Sequence, residues 1–208
     1  MSIDTKKVTA IITRIAEVIE ENKDYLSELD QAIGDGDHGF NMARGFSSVT
    51  EKLKAEPPVT IGEAFKSTAM ALISNVGGAA GPLYGTFFLK MGISVGGKKE
   101  IDLESFVPAF KDGILGIQAR GKAELGEKTM LDVLIPVSLF LETEAAAGKD
   151  GKSAFVSAVK HAEECMQNTK DIIATKGRAS YLGERSRGHI DPGAASSYLI
   201  IKTVAEAL

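Results

Sequence analysis

Asp30-Gln31-Ala32-Ile33-Gly34-Asp35-Gly36-Asp37-His38-Gly39 can be read in two ways, and the choice decides the fold. Glycines at 34, 36 and 39 have the G-x-G-x-x-G spacing of a dinucleotide-binding turn, which needs a β-strand before it and a helix after it. No strand precedes this stretch. Ile3, Val8, Ile11, Ile12, Ile15 and Ile19 recur at helical spacing, which predicts a helix over 5–22. A further helical turn or two, with Tyr25, Leu26 and Leu29, leads into the loop. Asp35 and Asp37 would also push a pyrophosphate away unless a cation intervened. The stretch therefore reads as an acidic loop between helices.

That loop sets Asp30, Asp35 and Asp37 within eight residues. A pair of carboxylates about 5 Å apart repels by roughly 3 kcal/mol at an effective dielectric of about 20. Either the three diverge into water, as in any solvated glycine-rich loop, or they close on a cation. Hard oxygen ligands and flexible glycine suit Mg2+, which is commonly held by a few carboxylates and substrate phosphates. An EF-hand matches poorly, because Gly39 stands where a third ligand is needed and no Glu occupies the twelfth place. A phosphatase-type Asp-x-Asp nucleophile lacks its buried strand.

Helical patterning continues to the end of the chain. It predicts helices over 39–55, 60–76, 80–95, 103–122, 130–147, 153–176 and 193–207. The first of these stops before Pro57-Pro58, and Thr60 with Glu63 forms a capping box for the next. Period-2 alternation is nowhere convincing. The expected fold is all-α, eight antiparallel up-and-down helices in a single domain over 1–208, since short connections between long helices make neighbours antiparallel.

In such an arrangement alternate connections fall at opposite ends. One set is bland: 56–60, 96–100 and 148–152 read as solvated turns. The other set is the acidic loop, Asn75-Val-Gly-Gly-Ala-Ala-Gly-Pro82, the polar turn 121–129 and the long stretch 177–193. All four chemically interesting loops are thus expected at one rim. Glycines in 75–81 can leave amide N–H groups bare at a helix N-terminus, an anion-binding arrangement, although a tight helix crossing also needs small residues. Arg178, Arg185 and Arg187 cluster in the last loop beside His189 and Asp191, and arginine suits phosphate.

Composition narrows the field. A net charge of −4 gives no sign of nucleic acid. One cysteine excludes an internal disulfide and fits a reducing compartment. No apolar run reaches the ~18 residues of a membrane span or the core of a signal peptide, so a cytoplasmic protein is expected. Gly116-x-x-x-x-Gly121-Lys122 mimics a Walker A loop, but Ala123 stands in place of Ser or Thr and the pattern is helical. His161 and Cys165, one helical turn apart, lack partner ligands and read as packing or surface residues. Phe87, Phe88, Phe106, Phe110, Phe140 and Phe155 fit a core.

Four motifs carry a family resemblance. They are Asp30 to Met42, Val76-Gly-Gly-Ala-Ala-Gly-Pro-Leu-Tyr-Gly-Thr86, Gly126-Glu-Lys-Thr-Met-Leu-Asp132, and Lys176 to Ser186 followed by Gly188-His-Ile-Asp-Pro-Gly193. In order and over the whole chain they resemble the L subunits of dihydroxyacetone kinase. The resemblance implies a closed eight-helix barrel with a tightly bound nucleotide, ADP or ATP, across one rim. It implies two Mg2+ ions on Asp30, Asp35 and Asp37, and phosphates lined by His38, Gly39, Phe40 and Asn41. Ala79 and Ala80 would offer backbone N–H groups. Gly121, Thr129, Met130, Arg178, Asp191, Pro192 and Gly193 match positions around the nucleotide. Relatives often carry Ser where this chain has Ala80, so a hydroxyl contact to phosphate is absent here while the backbone donor remains.

The resemblance also implies partners. A K subunit holds dihydroxyacetone covalently through a histidine, and in the phosphotransferase-linked branch a phosphohistidine-carrying M subunit recharges ADP on L. In the ATP-dependent branch L is fused behind K. The Met only a few residues before the first helix leads to the expectation of the free-standing type. No general base is assigned to this chain, whose part is positioning and charge neutralisation. The family further allows a homodimer and contact with a transcriptional regulator. Two other readings are a nucleotide module acting on another carrier-held substrate, such as a fatty acid, and a non-catalytic nucleotide-binding regulator.

Overall fold

Helix α1, Thr5–Glu21, starts where the Asp4 carboxylate accepts a 2.8 Å hydrogen bond from the Lys7 amide. It buries Val8, Ile11, Ile12, Ile15 and Ile19 along one stripe. Asn22 ends it, its side-chain amide donating to the Val18 carbonyl at 2.7 Å. The computed structural model describes residues 2–208. Beyond Asn22 the expected turn or two is a separate three-turn helix, α2, Lys23–Ile33, which delivers Asp30 from its last turn.

The other helices are α3 His38–Ala55, α4 Ile61–Asn75, α5 Ala80–Val95, α6 Leu103–Gly121, α7 Leu131–Ala146, α8 Gly151–Asn168 and α9 Pro192–Ala207. Among the described residues that makes nine α-helices where the periodicity predicts eight, and the break at Asn22 accounts for the difference. The capping box at α4 is present: Thr60 Oγ1 accepts from the Glu63 amide and the Glu63 carboxylate accepts from the Thr60 amide, both at 3.2 Å. Asp102, Asp150 and Asp191 cap α6, α8 and α9 in the same way with side-chain oxygens.

Two expectations fail at their edges. The helix predicted over 153–176 begins at Gly151 and stops at Asn168. Thr169, fully buried, turns its hydroxyl back onto the Met166 carbonyl, and the chain passes into a 3₁₀ turn, Thr169–Asp171. The long final connection is not structureless either, since Arg178–Ser186 is a 3₁₀ run kinked at Gly183. In addition, β1 Ile3–Asp4 and β2 Glu100–Ile101 pair antiparallel, a two-residue ladder too short to leave an alternation in the sequence.

Each helix packs against its neighbours in the chain, with α3 bridging α1 and α4, and α1 meeting α9. The core lies along the inward stripes. At the end holding the starts of α4, α6 and α8, Phe65, Phe87, Phe88, Phe106, Phe110 and Phe155 form a run of aromatic contacts with centroids 5.3–6.1 Å apart. Phe140, expected in the core, instead stacks half-buried on His161. No helix among the described residues is long and apolar enough to cross a membrane.

Candidate functional site

Two glycines let the acidic loop fold back on α2. A Cβ on Gly34 would lie 2.1 Å from Asp30 Oδ1, and a Cβ on Gly39 would lie 1.9 Å from the Lys23 carbonyl oxygen. With nothing in the way, the loop wraps the Asp30 carboxylate, whose Oδ2 accepts from the amides of Asp37 at 2.9 Å and His38 at 3.2 Å. Asp35 and Asp37 stay exposed beside it. One oxygen from each of the three carboxylates falls within 4.8 Å of the others, and no other such cluster occurs among the described residues. Burial pushes the Asp30 carboxyl above the usual range, against the pull of those two amides, and the neighbouring aspartates add to the rise. The donor set is all hard oxygen, which fits Mg2+ or a similar cation.

The cluster opens into a cleft. All four of the loops singled out from the sequence line it. From the first come Asp30, Asp35, Asp37 and His38, with Asn41 just beyond. Gly77 to Ala80 come from the second, Thr129 and Met130 from the third, and Arg178, Asp191, Pro192 and Gly193 from the fourth. A second cavity, at the aromatic end, is lined almost wholly by apolar side chains and offers no comparable chemistry.

Three expected residues do not line the cleft. Gly39 is buried against α2, Phe40 lies half-exposed on the outer side of α3 beside Lys23 and Arg44, and Gly121 ends α6 behind Leu83. Of the three arginines in the last loop only Arg178 faces the cleft, where its guanidinium meets Asp35 at 2.9 Å. Arg187 turns away to the Asp171 carbonyl. His161 and Cys165 touch at 3.9 Å without a third ligand.

One residue lining the cleft, Lys128, was not legible as functional. Lys128 reads as a solvated charge in a polar turn, yet it is 1% exposed and its ammonium donates to the carbonyls of Thr169, Ile172 and His189. Burial holds its pKa down. It staples the last loop to the start of α7, where Asp132 accepts from the amides of Gly126 and Thr129 at 2.6 Å. Asp191 caps α9 through a 2.7 Å bond from the Ala194 amide, and full burial pushes its carboxyl up to about 7. His38 is lowered to about 4 by burial. At the mouth of α5, beside Ala79 and Ala80, no side chain caps the first amides, and free amides at a helix N-terminus suit an anion.

Residues 32–206 match the model of the DAK2 domain. The chain is 44% identical over 207 residues to the PEP-dependent dihydroxyacetone kinase, ADP-binding subunit DhaL, of Escherichia coli K12, covering 100% of this chain and 99% of that one. It is 48% identical over 190 residues to the corresponding subunit of kinase 1 of Listeria innocua, covering 91% and 90%. Human triokinase/FMN cyclase is 30% identical over 205 residues, with this chain spanning 35% of it. The fold also matches the crystal structure of the dihydroxyacetone kinase from C. freundii in complex with AMP-PNP and Mg2+. That likeness has a TM-score of 0.72 at 24% identity and covers 97% of this chain but 34% of that one. From a family match running over most of the chain, and identity of this order from end to end, the chain belongs to the DAK2 domain family, in the group of the DhaL subunits.

Proposed function

We propose that this chain is the nucleotide-carrying subunit of a dihydroxyacetone kinase of the phosphoenolpyruvate-dependent type, acting in the cytoplasm as a single domain over 1–208. In this reading α1 and α3 to α9 form a closed eight-helix barrel, supported by the packing of α1 on α9, with α2 as the arm that carries Asp30. ADP or ATP would sit in the cleft with its phosphates toward the acidic loop. The observation that carries the reading is the meeting of four separate loops, three clustered carboxylates among them, on one cleft.

Asp30, Asp35 and Asp37 would hold two Mg2+ ions, whose charge would offset that of the phosphates. The chain's own contribution is placement. The Asp37 and His38 amides fix Asp30 in one orientation. Amides at the start of α5 and the side chains of His38 and Asn41 supply donors along the phosphates. Arg178 is held over the cleft by Asp35, from where its guanidinium can reach a terminal phosphoryl group as charge develops in transfer. Thr129, Met130, Pro192 and Gly193 wall the cleft and keep water from the transferring group. We assign no base for the acceptor hydroxyl to this chain; one, if needed, would come from the K subunit that carries dihydroxyacetone. An M subunit bearing phosphohistidine would recharge ADP in place.

The test is the nucleotide that survives purification. Tightly held ADP, charged by a phosphohistidine donor and not exchanged with free ATP, is the expected result. Asp35→Asn should lose Mg2+-dependent retention and transfer while keeping its helical content, and full transfer by that variant would contradict the metal role.

A further inference from the structure

In the first two turns of α3, a guanidinium outside the cleft holds a carboxamide that borders it. Arg44 is exposed and does not line the cleft, whereas Asn41 is buried and does. Arg44 Nη2 donates to Asn41 Oδ1 at 2.6 Å, and Arg44 Nε donates to the Asn75 carbonyl at 3.1 Å. Asn75 ends α4, and its carbonyl is one of those a helix leaves without an intrahelical donor. Two bonds from one rigid plane fix the guanidinium. The glycine loop lies against the carboxamide, since a Cβ on Gly77 would come 3.1 Å from Oδ1 and 3.3 Å from Nδ2. Every fully buried side-chain nitrogen or oxygen among the described residues has a partner. Asn41 Nδ2 bonds to nothing among those residues, so it is open, and the space that Asn41 borders is the cleft.

We infer that Arg44 is a positioning residue, which fixes the Asn41 carboxamide so that its NH2 group is a donor to the cleft. The chemistry of the two partners allows one assignment. A guanidinium has donors and no acceptor, and of the two carboxamide heteroatoms only the oxygen accepts. The reversed amide would set N–H against N–H across 2.6 Å and aim an oxygen lone pair at any anion in the cleft. No other group among the described residues bonds to either end of the amide, so without Arg44 the side chain is left free to turn. The Asn75 carbonyl aims the guanidinium, and the guanidinium aims the amide. That the anion is a phosphate rests on the function proposed above, while the orientation of the amide is a property of the free protein.

The two parts can be read separately. Neutron diffraction from crystals of the full chain without nucleotide, exchanged into heavy water, locates the amide deuterons. They are expected on the branch of Asn41 turned from Arg44, with none on the branch facing it. In solution, Asn41→Ala should weaken Mg-ADP binding about tenfold, the scale of one hydrogen bond to a charged group. Arg44→Ala, at an exposed position, should fold normally and weaken binding about fivefold, because a freed side chain must then be ordered on binding. In the Asn41→Ala background the same change should cost nothing further. Deuterons facing Arg44, or a guanidinium swung clear of Asn41, overturn the inference. So does a fivefold loss that persists without Asn41, since Arg44 then acts as a charge and not through the amide. Full affinity in Arg44→Ala beside a tenfold loss in Asn41→Ala overturns it as well. The expected deuterons with a Mg-ADP affinity indifferent to Asn41→Ala uphold the orientation and count against the phosphate placement proposed above.

Discussion

Replacing Asp191 by Asn should make stability climb with pH relative to the unsubstituted protein. Burial raises the Asp191 carboxyl from 3.8 to about 7. Between those values the native state keeps a proton that the unfolded chain has lost, so the stabilisation is full at low pH and is lost as pH rises, at about 1.4 kcal/mol per pH unit. His38 works in the opposite sense. Burial lowers it from 6.5 to about 4, so the unfolded chain holds the extra proton and stability rises with pH at the same slope. From pH about 4 to 6.5 the two contributions offset each other. Asn caps a helix as well as Asp does and can still accept from the Ala194 amide, so Asp191→Asn removes one titration and leaves the fold. Relative to the unsubstituted protein, its unfolding free energy should then climb by about 3 kcal/mol across that window. His38→Gln should show the mirror image, a fall of about 4 kcal/mol by pH about 7. Asp30 and Asp132 are also raised by burial and add a falling contribution common to all three proteins. Urea unfolding followed by circular dichroism, with chelator and without nucleotide, gives the profiles. Parallel curves for Asp191→Asn and the unsubstituted protein would refute the reasoning.

Lys128→Met should cost about 2–3 kcal/mol in urea unfolding, because three inward carbonyls lose their donor. Amide exchange should quicken across 169–191 and not in α4. Arg178→Ala removes an exposed ion pair and should move the melting temperature by no more than about 2 °C, yet weaken nucleotide retention about tenfold. Thr60→Ala breaks the capping box of α4 and should cost about 1 kcal/mol, with nucleotide binding untouched, since Thr60 lies outside the cleft.

Helices were legible in this sequence wherever one face carries Ile, Leu, Val or Phe at regular spacing and a cap marks the start, as Thr60 and Glu63 do. The breaks at Asn22 and Thr169 were not, because both residues tolerate helix and stop it through contacts. Asn22 bonds back to Val18, and Thr169 is claimed by Lys128 and by the Asp191 amide. The cleft was legible because alternating helices send alternate loops to one end, an argument that needs only the order of helices and the shortness of their links. Which side of α3 Phe40 occupies, and which arginine of the last loop turns inward, depend on tertiary packing that no spacing encodes. Lys128 is harder still. It stands in a polar turn, and only the carbonyls brought from distant segments give it its role.

The contact between Gly39 and the carbonyl of Lys23 bears on how portable the acidic loop is. Lys23 is the first residue of α2, so that helix is the anvil on which the loop is bent. Grafted into another bundle without that helix, the ten residues from Asp30 to Gly39 would lose the surface that folds them, and the carboxylates would fan out. The smallest transplantable unit is the whole hairpin from Lys23 into α3, with glycine kept at position 39.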